Sequence, residues 1–326
     1  MPSPSTSQAT LRPDIAQALM EFEADMDLQG YIALQVLPEF DAPEQHGVFP
    51  VIPIEQLLQN PETARNNKSG YNILDWTFTN STYSCGEHGL KSPIDDRARK
   101  MYRNFFDAEV VTVEILRAAI QRAAERRVAE AVFNATTFTA ATTTITYEWD
   151  SNHTATATPI TDVETAVQAV YARTGVWPNA LIINRSVFRN LRNLDQIIDR
   201  IQSGGAGAAT KATDITAAML AQVFDLEKVI VAGGSKSTAA EGQTAAVSQI
   251  WSSEYAMVAK VARTANFSEP CLGRTLHWSE DGSTIGGTIE QYRDENMRAD
   301  MYRDRHDTDE KILYTEVGQL LDNVTT

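Results

Sequence analysis

The chain has 326 residues, 43% of them hydrophobic and 22% charged, an ordinary soluble composition with enough length for one large domain or two smaller ones. Its net charge of −15 and pI near 4.8 argue against a protein that grips nucleic acid through a basic face, but suit a wall that must not stick to DNA and keep a concentrated protein soluble. No apolar run approaches the roughly 18 residues of a membrane span, and MPSPSTSQATLRPD has no basic-then-apolar export signal, so Cys85 and Cys271 are expected as free thiols in a reducing compartment.

Residues 13–28, PDIAQALMEFEADMDL, have amphipathic helical spacing, with Ile15, Leu19, Phe22 and Met26 on one side. Pro13 suits the first turn and Gly30 the end. The next stretch carries Pro38, Pro43, Pro50 and Pro53 among Val and Ile. Proline removes ladder donors and enforces extended chain, which predicts an arm crossing a surface. Residues 69–103 alternate aromatic and polar residues. Trp76, Phe78 and Asn80 share one strand face and Thr77 and Thr79 the other. Gly86 and Gly89 are placed to form the turn of a long hairpin. The pattern fits equally a hairpin packed on its own core and a projecting one that pairs with another subunit.

Residues 107–133 form a long helical pattern without Pro or Gly. Val113, Leu116, Ile120, Ala123 or Ala124, and Val128 mark the apolar side. Glu114 with Arg117, Arg122 with Glu125, and Arg126 with Glu130 stand at pairing distance, and the Arg126–Arg127 doublet reads as a solvated face. A long helix after an extended strand excursion is a shape for contacting neighbours, which points to an assembly subunit rather than an enzyme.

Residues 136–160 are Thr-rich and β-favouring. Thr161 and Glu164 have capping-box spacing, for a helix that ends at Gly175. WPNALIIN predicts a buried strand, 186–202 an amphipathic helix, and SGGAGAATKAT a flexible loop. Thr213 is placed to cap the helix that follows, and KVIVA, VSQIW and YAMVAKVA predict strands. Residues 161–262 thus alternate helix and strand as an α/β unit. Beyond them, TLHW and TIEQY flank Asp281–Gly282, a hairpin signal. MRADMYRDRH and KILYTEVG predict further strands. Arg298, Arg303 and Arg305 interleave with Asp300 and Asp304, a pattern of cross-strand and inter-subunit ion pairs rather than of a metal site.

Catalytic signatures do not emerge. The five histidines lie in no HExxH helix and beside no zinc-spaced cysteine pair. There is no GxSxG elbow and no Walker A loop. The glycines at 204, 205 and 207 follow a helix and lack phosphate-cradle spacing. The Gly233–Gly234 pair follows a strand, but no helix pattern comes after it.

The order of elements resembles phage major capsid proteins of the HK97-type fold, in the lambda-like major capsid protein E branch. The resemblance rests on VLPEFDAPEQHGVFPVIPIEQL, ERRVAEAVFNATTF, PITDVETAVQAVYARTGVWPNALIINRSVFRNLRN, LDQIIDRIQ, IWSSEYAMVAKVA, LGRTLHWSEDG and YRDENMRADMYRDRHDTDEKIL. It runs from about residue 13 to the end. It implies an α+β fold with an N-terminal arm at 1–48 and an extended E-loop at 49–104. A peripheral domain would comprise 105–160 and 263–326 around a spine helix at about 107–133, and an axial domain would comprise 161–262. The loop holding Gly204, Gly205 and Gly207 would lie near a capsomer axis. The family assembles pentamers and hexamers into an icosahedral shell around double-stranded DNA, with a scaffolding protein, a portal and in some cases a decoration protein. No cofactor, metal or catalysis is implied. Some members join subunits by Lys–Asn crosslinks. Lys91 is in that general region, but no Asn or Glu partner matches, so that chemistry is not carried over. Trp76, Phe78 and Tyr83 are the expected E-loop contacts, and Arg298, Arg303 and Arg305 with Asp300 and Asp304 the expected ionic contacts. The alternatives are an encapsulin-like compartment shell and a soluble α/β enzyme built on 161–262.

Overall fold

The computed structural model describes residues 30–102, 107–203, 215–240, 242–280 and 282–325. The helix expected at 13–28 and the loop glycines Gly204, Gly205 and Gly207 lie outside them. Two five-stranded sheets and one long helix organise the chain.

The first sheet is built on β13 (Ala299–Ile312). One edge of β13 pairs antiparallel with β4 (Gly86–Asp95). The other edge pairs with β12 (Thr288–Asp294) and then, further along, with β11 (Gly273–Trp278), to which β1 (Glu39–Ala42) adds in parallel. TLHW and TIEQY therefore do not pair with each other. They run end to end along one edge of β13, and residues 279–287 are an excursion between them. The hairpin is instead β12–β13, closed by a turn at 295–298 in which Arg298 takes φ 51°. The Asp294 carboxylate accepts from the Asn296 and Met297 amides and so supplies the turn signal.

The second sheet has the order β5-β14-β10-β6-β7: Thr142–Thr144, Gly318–Asp322, Ala256–Ala259, Ala180–Asn184 and Lys228–Ala232. Its central strands are apolar on both faces, as strands covered on both sides must be. Leu181, Ile183, Val258 and Leu321 enter one core with Trp149, Val163, Leu191, Ile197 and Phe224. Ile182, Met257 and Leu320 enter the other with Val36, Leu37, Val132, Phe138 and Trp251. Strands from 142–144 and 318–322 complete this sheet, so it draws on chain from both sides of the 161–262 unit.

The long helix, α4 (Ala108–Val132), is capped by Asp107, whose side chain accepts from the Glu109 amide. The helix at Pro159–Thr174 ends on Gly175 in the left-handed conformation, φ 65°. Its start differs from the expected capping box. Pro159 occupies the first turn, Thr158 precedes it without a side-chain cap, and Thr161 already lies inside. Residues 186–202 split into two helices, Arg185–Leu191 and Asp195–Ser203. The helix Ala217–Val223 is capped by Thr216, which accepts from the Met219 amide, rather than by Thr213, which lies outside the described residues. The Thr-rich segment contributes only one short strand, Thr142–Thr144, and is otherwise turns around buried Trp149.

The segment after Gly30 is packed into the fold. Ile32, Val36 and Leu37 are buried. The Gly233 amide donates to the Gly30 carbonyl at 2.9 Å, and a Cβ on Gly234 would lie 2.8 Å from the Tyr31 ring. The Gly233–Gly234 pair thus exists for close backbone approach. One carboxylate fastens this segment. Glu125 Oε1 accepts from the Ile32 amide at 2.9 Å and from Trp251 Nε1 at 2.6 Å, and Oε2 accepts from the Ala33 amide at 2.8 Å. Burial pushes the Glu125 carboxyl up, and the three donors only partly offset it. Glu125 is therefore buried rather than on a solvated face. Replacing Glu125 with Ala leaves three buried donors without an acceptor, and we expect a loss of about 3 kcal/mol of stability, read from urea unfolding followed by tryptophan fluorescence.

Candidate inter-subunit surfaces

The segment expected as the E-loop begins as a two-stranded ribbon. β2 (His46–Val51) pairs antiparallel with β3 (Thr79–Ser84), from His46 opposite Ser84 to Val51 opposite Thr79. Beyond the ladder, Gln56 and Thr77 exchange two 2.8 Å hydrogen bonds, which carry the stem outward. The expected turn at Gly86 and Gly89 is not a turn. At Cys85 the chain leaves the ribbon and becomes β4 of the first sheet. Cys85 is buried at this crossing, and burial pushes its thiol up to about 11, so it is an inert core thiol.

The root of the ribbon is packed within the chain. Phe267 stacks against Phe40 at 4.7 Å and Phe49 at 5.2 Å between ring centroids. Tyr83 lies half-buried here, flat over Gly47, where a Cβ would fall 2.5 Å from its ring. The far end is different. Leu57, Leu58, Tyr71, Leu74, Trp76 and Phe78 are all exposed, and Ile73 is 92% exposed. Trp76 and Phe78 share a face as expected, with ring centroids 6.1 Å apart. Seven large apolar side chains on one excursion form the kind of patch that marks an interaction surface.

The ionic residues at 290–310 sit in networks within the chain. Arg99 reaches Asp300 at 2.6 Å and Glu109 at 2.9 Å. Arg293 grips both Asp96 oxygens at 2.7 and 2.8 Å and also reaches Asp300 at 3.2 Å. The Arg293 guanidinium holds the Asp96 carboxyl below the usual range. Arg303, directly opposite Glu290 in register, and Arg305, one pleat along, share that carboxylate and hold it low. Lys91 stands opposite Arg303 on the other edge of β13 and is exposed. It rims a groove between β4 and the long helix, lined by Leu90, Ser92, Thr112, Ile115 and Ala119. Arg298 is exposed in the β12–β13 turn, where its carbonyl accepts from the Asp96 amide at 3.3 Å and its charge helps to hold the Asp96 carboxyl low. Asp304 is buried, with no hydrogen-bond partner for either oxygen.

Arg127 is the largest departure from expectation. Rather than facing solvent, it docks the long helix on the first sheet. Its guanidinium donates to Glu310 at 2.8 and 2.9 Å, to Thr308 at 3.0 Å and to His306 Nε2 at 3.3 Å. That contact makes His306 Nε2 an acceptor, so its Nδ1–H donates to the Ile285 carbonyl at 3.2 Å. Burial lowers the His306 pKa to about 4 and keeps the ring neutral. Burial raises the Glu310 carboxyl, but Arg127 and Thr308 outweigh it and hold the group low. The signal was present: Arg127 follows Ile120 by seven residues, within about 20° on a helical wheel.

Among the described residues, no group of three or more His, Cys, Asp or Glu is arranged to hold a metal ion, and no helix is long and apolar enough to cross a membrane. No protein-family model matches the sequence, and no curated protein matches it. Solved structures do match across nearly the whole chain. A phage-related protein from Bordetella bronchiseptica superimposes with a TM-score of 0.64 at 18% identity, over 90% of this chain and 92% of its own. The capsid protein of Cyanophage P-SCSP1u gives 0.60 at 10% identity, over 94% and 90%. The SrpI encapsulin of Synechococcus elongatus gives 0.54 at 13% identity, over 95% and 93%. The fold is that of HK97-type capsid proteins.

Because Glu310 is held below its unfolded value, the Arg127–Glu310 contribution is present above the ordinary carboxylate range and is lost as pH falls through the depressed value. Arg127→Ala strands a buried carboxylate. We expect it to cost about 3 kcal/mol at neutral pH and to flatten the acid limb of a urea-midpoint-versus-pH curve.

Proposed function

We propose that this protein is the structural major capsid subunit of a tailed double-stranded DNA phage, assembling through pentamers and hexamers into an icosahedral shell, with no catalytic role. The observation that carries this reading is the E-loop. Its root is packed on the chain's own aromatic cluster, while Tyr71, Ile73, Leu74, Trp76 and Phe78 beyond it are exposed apolar side chains with no core of their own. Such a surface is costly in water and is satisfied by a neighbouring copy. A contact that joins one patch to a different patch on the next copy closes into rings, and the capsid fold supplies the geometric precedent.

In this reading residues 1–48 act as the N-terminal arm and 49–104 as the E-loop region, with the ribbon itself starting at His46. Residues 105–160 and 263–326 act as the peripheral domain, and 161–262 as the axial domain, with Gly204, Gly205 and Gly207 near the capsomer axis. Trp76 and Phe78 make E-loop contacts. Tyr83 supports them from the root, while Lys91 and Arg298 stand as exposed candidates. Asp300, Arg303 and Arg305 set the rigidity of the sheet that presents them. A scaffolding protein, a portal and a decoration protein are the expected partners. Packaged DNA lies against an acidic wall, and the mature location is the virion, after assembly in the host cytoplasm.

The match to an encapsulin over 95% of the chain supports a second reading, a compartment shell that encloses protein cargo. The content of purified particles separates the two: DNA for a phage head, a cargo protein for a compartment.

Replacing Ile73, Trp76 and Phe78 together with Ser should abolish closed particles in negative-stain microscopy while leaving secondary structure and unfolding midpoint within about 0.5 kcal/mol of wild type, as for exposed sites. Normal shells from this variant would overturn the E-loop assignment, and a wild-type chain that stays monomeric by light scattering under all conditions would overturn the shell reading.

A further inference from the structure

The contacts that hold the long helix leave a cavity of about 210 Å³ between the helix, the 31–35 segment and the first sheet. Gln121, Ala124 and Val128 line it from the helix, Leu34 from the segment, and Thr275 and Ile285 from the side of the sheet. Its lining is mainly apolar. Leu34 and Gln35 are exposed, which puts the mouth of the cavity at the segment. The polar groups of its floor are already engaged. Glu310, Thr308 and His306 contact Arg127. Thr275 Oγ1 donates to the Leu37 carbonyl at 2.9 Å, and the Gly286 carbonyl accepts from Arg117 Nε at 3.1 Å. Glu125 spends its oxygens on Ile32, Ala33 and Trp251. A buried water needs roughly two to four polar partners, and a floor engaged in this way favours an apolar guest.

One polar group at the cavity is not satisfied. Tyr31 lines it, and the Tyr31 hydroxyl is shielded from solvent without an acceptor. Arg122 stands beside that hydroxyl, but a guanidinium only donates, so it leaves the phenolic proton unused. Burial raises the Tyr31 hydroxyl above its ordinary value and outweighs the Arg122 charge, so the group keeps its proton at neutral pH. A buried donor without an acceptor is costly, and a guest that brings an acceptor removes that cost.

We propose that this cavity is a binding site for a compact aromatic molecule bearing one hydrogen-bond acceptor, with its ring among Leu34, Ala124 and Val128 and its acceptor on the Tyr31 hydroxyl. The volume sets the size of the guest. It is the room of about seven waters at liquid density, and an apolar protein cavity of about 150 Å³ already takes benzene, so a single ring with a short substituent fits. Sites of this kind hold a guest by apolar contact and orient it with a few polar groups. The guest touches the helix, the 31–35 segment and the sheet side together, so binding braces all three and stabilises the folded chain by mass action. The site is complete within one chain and does not depend on the shell reading.

The test is isothermal titration calorimetry of the full chain with acetophenone and with α-methylstyrene, which has the same shape but lacks the carbonyl oxygen. Wild type should bind one molecule of either per chain, with acetophenone about tenfold tighter. Tyr31→Phe should erase that difference and leave α-methylstyrene within about twofold of wild type. Ala124→Phe, which fills the cavity, should abolish binding of both, with circular dichroism confirming that the variant is folded. Should that variant not fold, the Tyr31→Phe comparison decides alone. The Ile73, Trp76 and Phe78 to Ser variant should bind as wild type does, which separates the cavity from the exposed apolar patch. The proposal is overturned if wild type binds neither probe, if it binds both with equal affinity, if folded Ala124→Phe still binds, or if binding is lost with the exposed patch.

Discussion

One helix serves two sheets, and that is possible because its two inward charges are neutralised on opposite sides. Glu125 and Arg127 are two residues apart, which places them roughly 200° apart around the helix axis. Arg127 binds the first sheet through Glu310, Thr308 and His306. Glu125 binds the 32–33 backbone and Trp251 on the side of the second core. A helix buried on one face needs only an apolar stripe. This one is clamped on two faces near its C-terminal end, and the polar groups that fix its rotation must each be fully partnered there. Its N-terminal half is freer, with Val110 and Ile115 exposed.

The rigid part of the molecule follows from that clamp. β13 receives strands on both edges along most of its length, and its arginines and carboxylates pair across strands and with the helix at Asp96–Tyr102. Exposed ion pairs of this kind add little individually, but here they link three elements and fix the register of a fourteen-residue strand. What projects from this frame is apolar. The ribbon is anchored by the Phe40, Phe49 and Phe267 cluster, and beyond that root it carries large uncovered apolar side chains.

Much of the local structure was legible in the residues. The long helix runs Ala108–Val132 against an expected 107–133, because nothing between Asp107 and Phe133 breaks the pattern. Gly175 stops its helix in the left-handed conformation. ALIIN and KVIVA are strands with apolar residues on both faces. The E-loop face bearing Trp76 and Phe78 was also legible, since alternation alone puts positions 76 and 78 together. Tyr83 was not separable from them by pattern: its burial depends on Gly47, which lies 36 positions earlier.

The sequence by itself determined where elements begin and end, which residues share a face, and that the chain is acidic with a strongly apolar excursion. These follow from local sterics and from periods of 2 and 3.6 residues, which need no knowledge of the rest of the chain. Only the tertiary structure decided which strand pairs with which. Residues 273–278 and 288–294 look like a hairpin around Asp281–Gly282, yet they lie end to end along β13, because that fourteen-residue strand has edge enough for both. It also decided the fate of the charges. Arg303, Arg305 and Arg127 are the same residue type in similar local patterns, yet two pair across strands with a glutamate and one fastens a helix, because desolvation and partners are set by what the fold brings to each position.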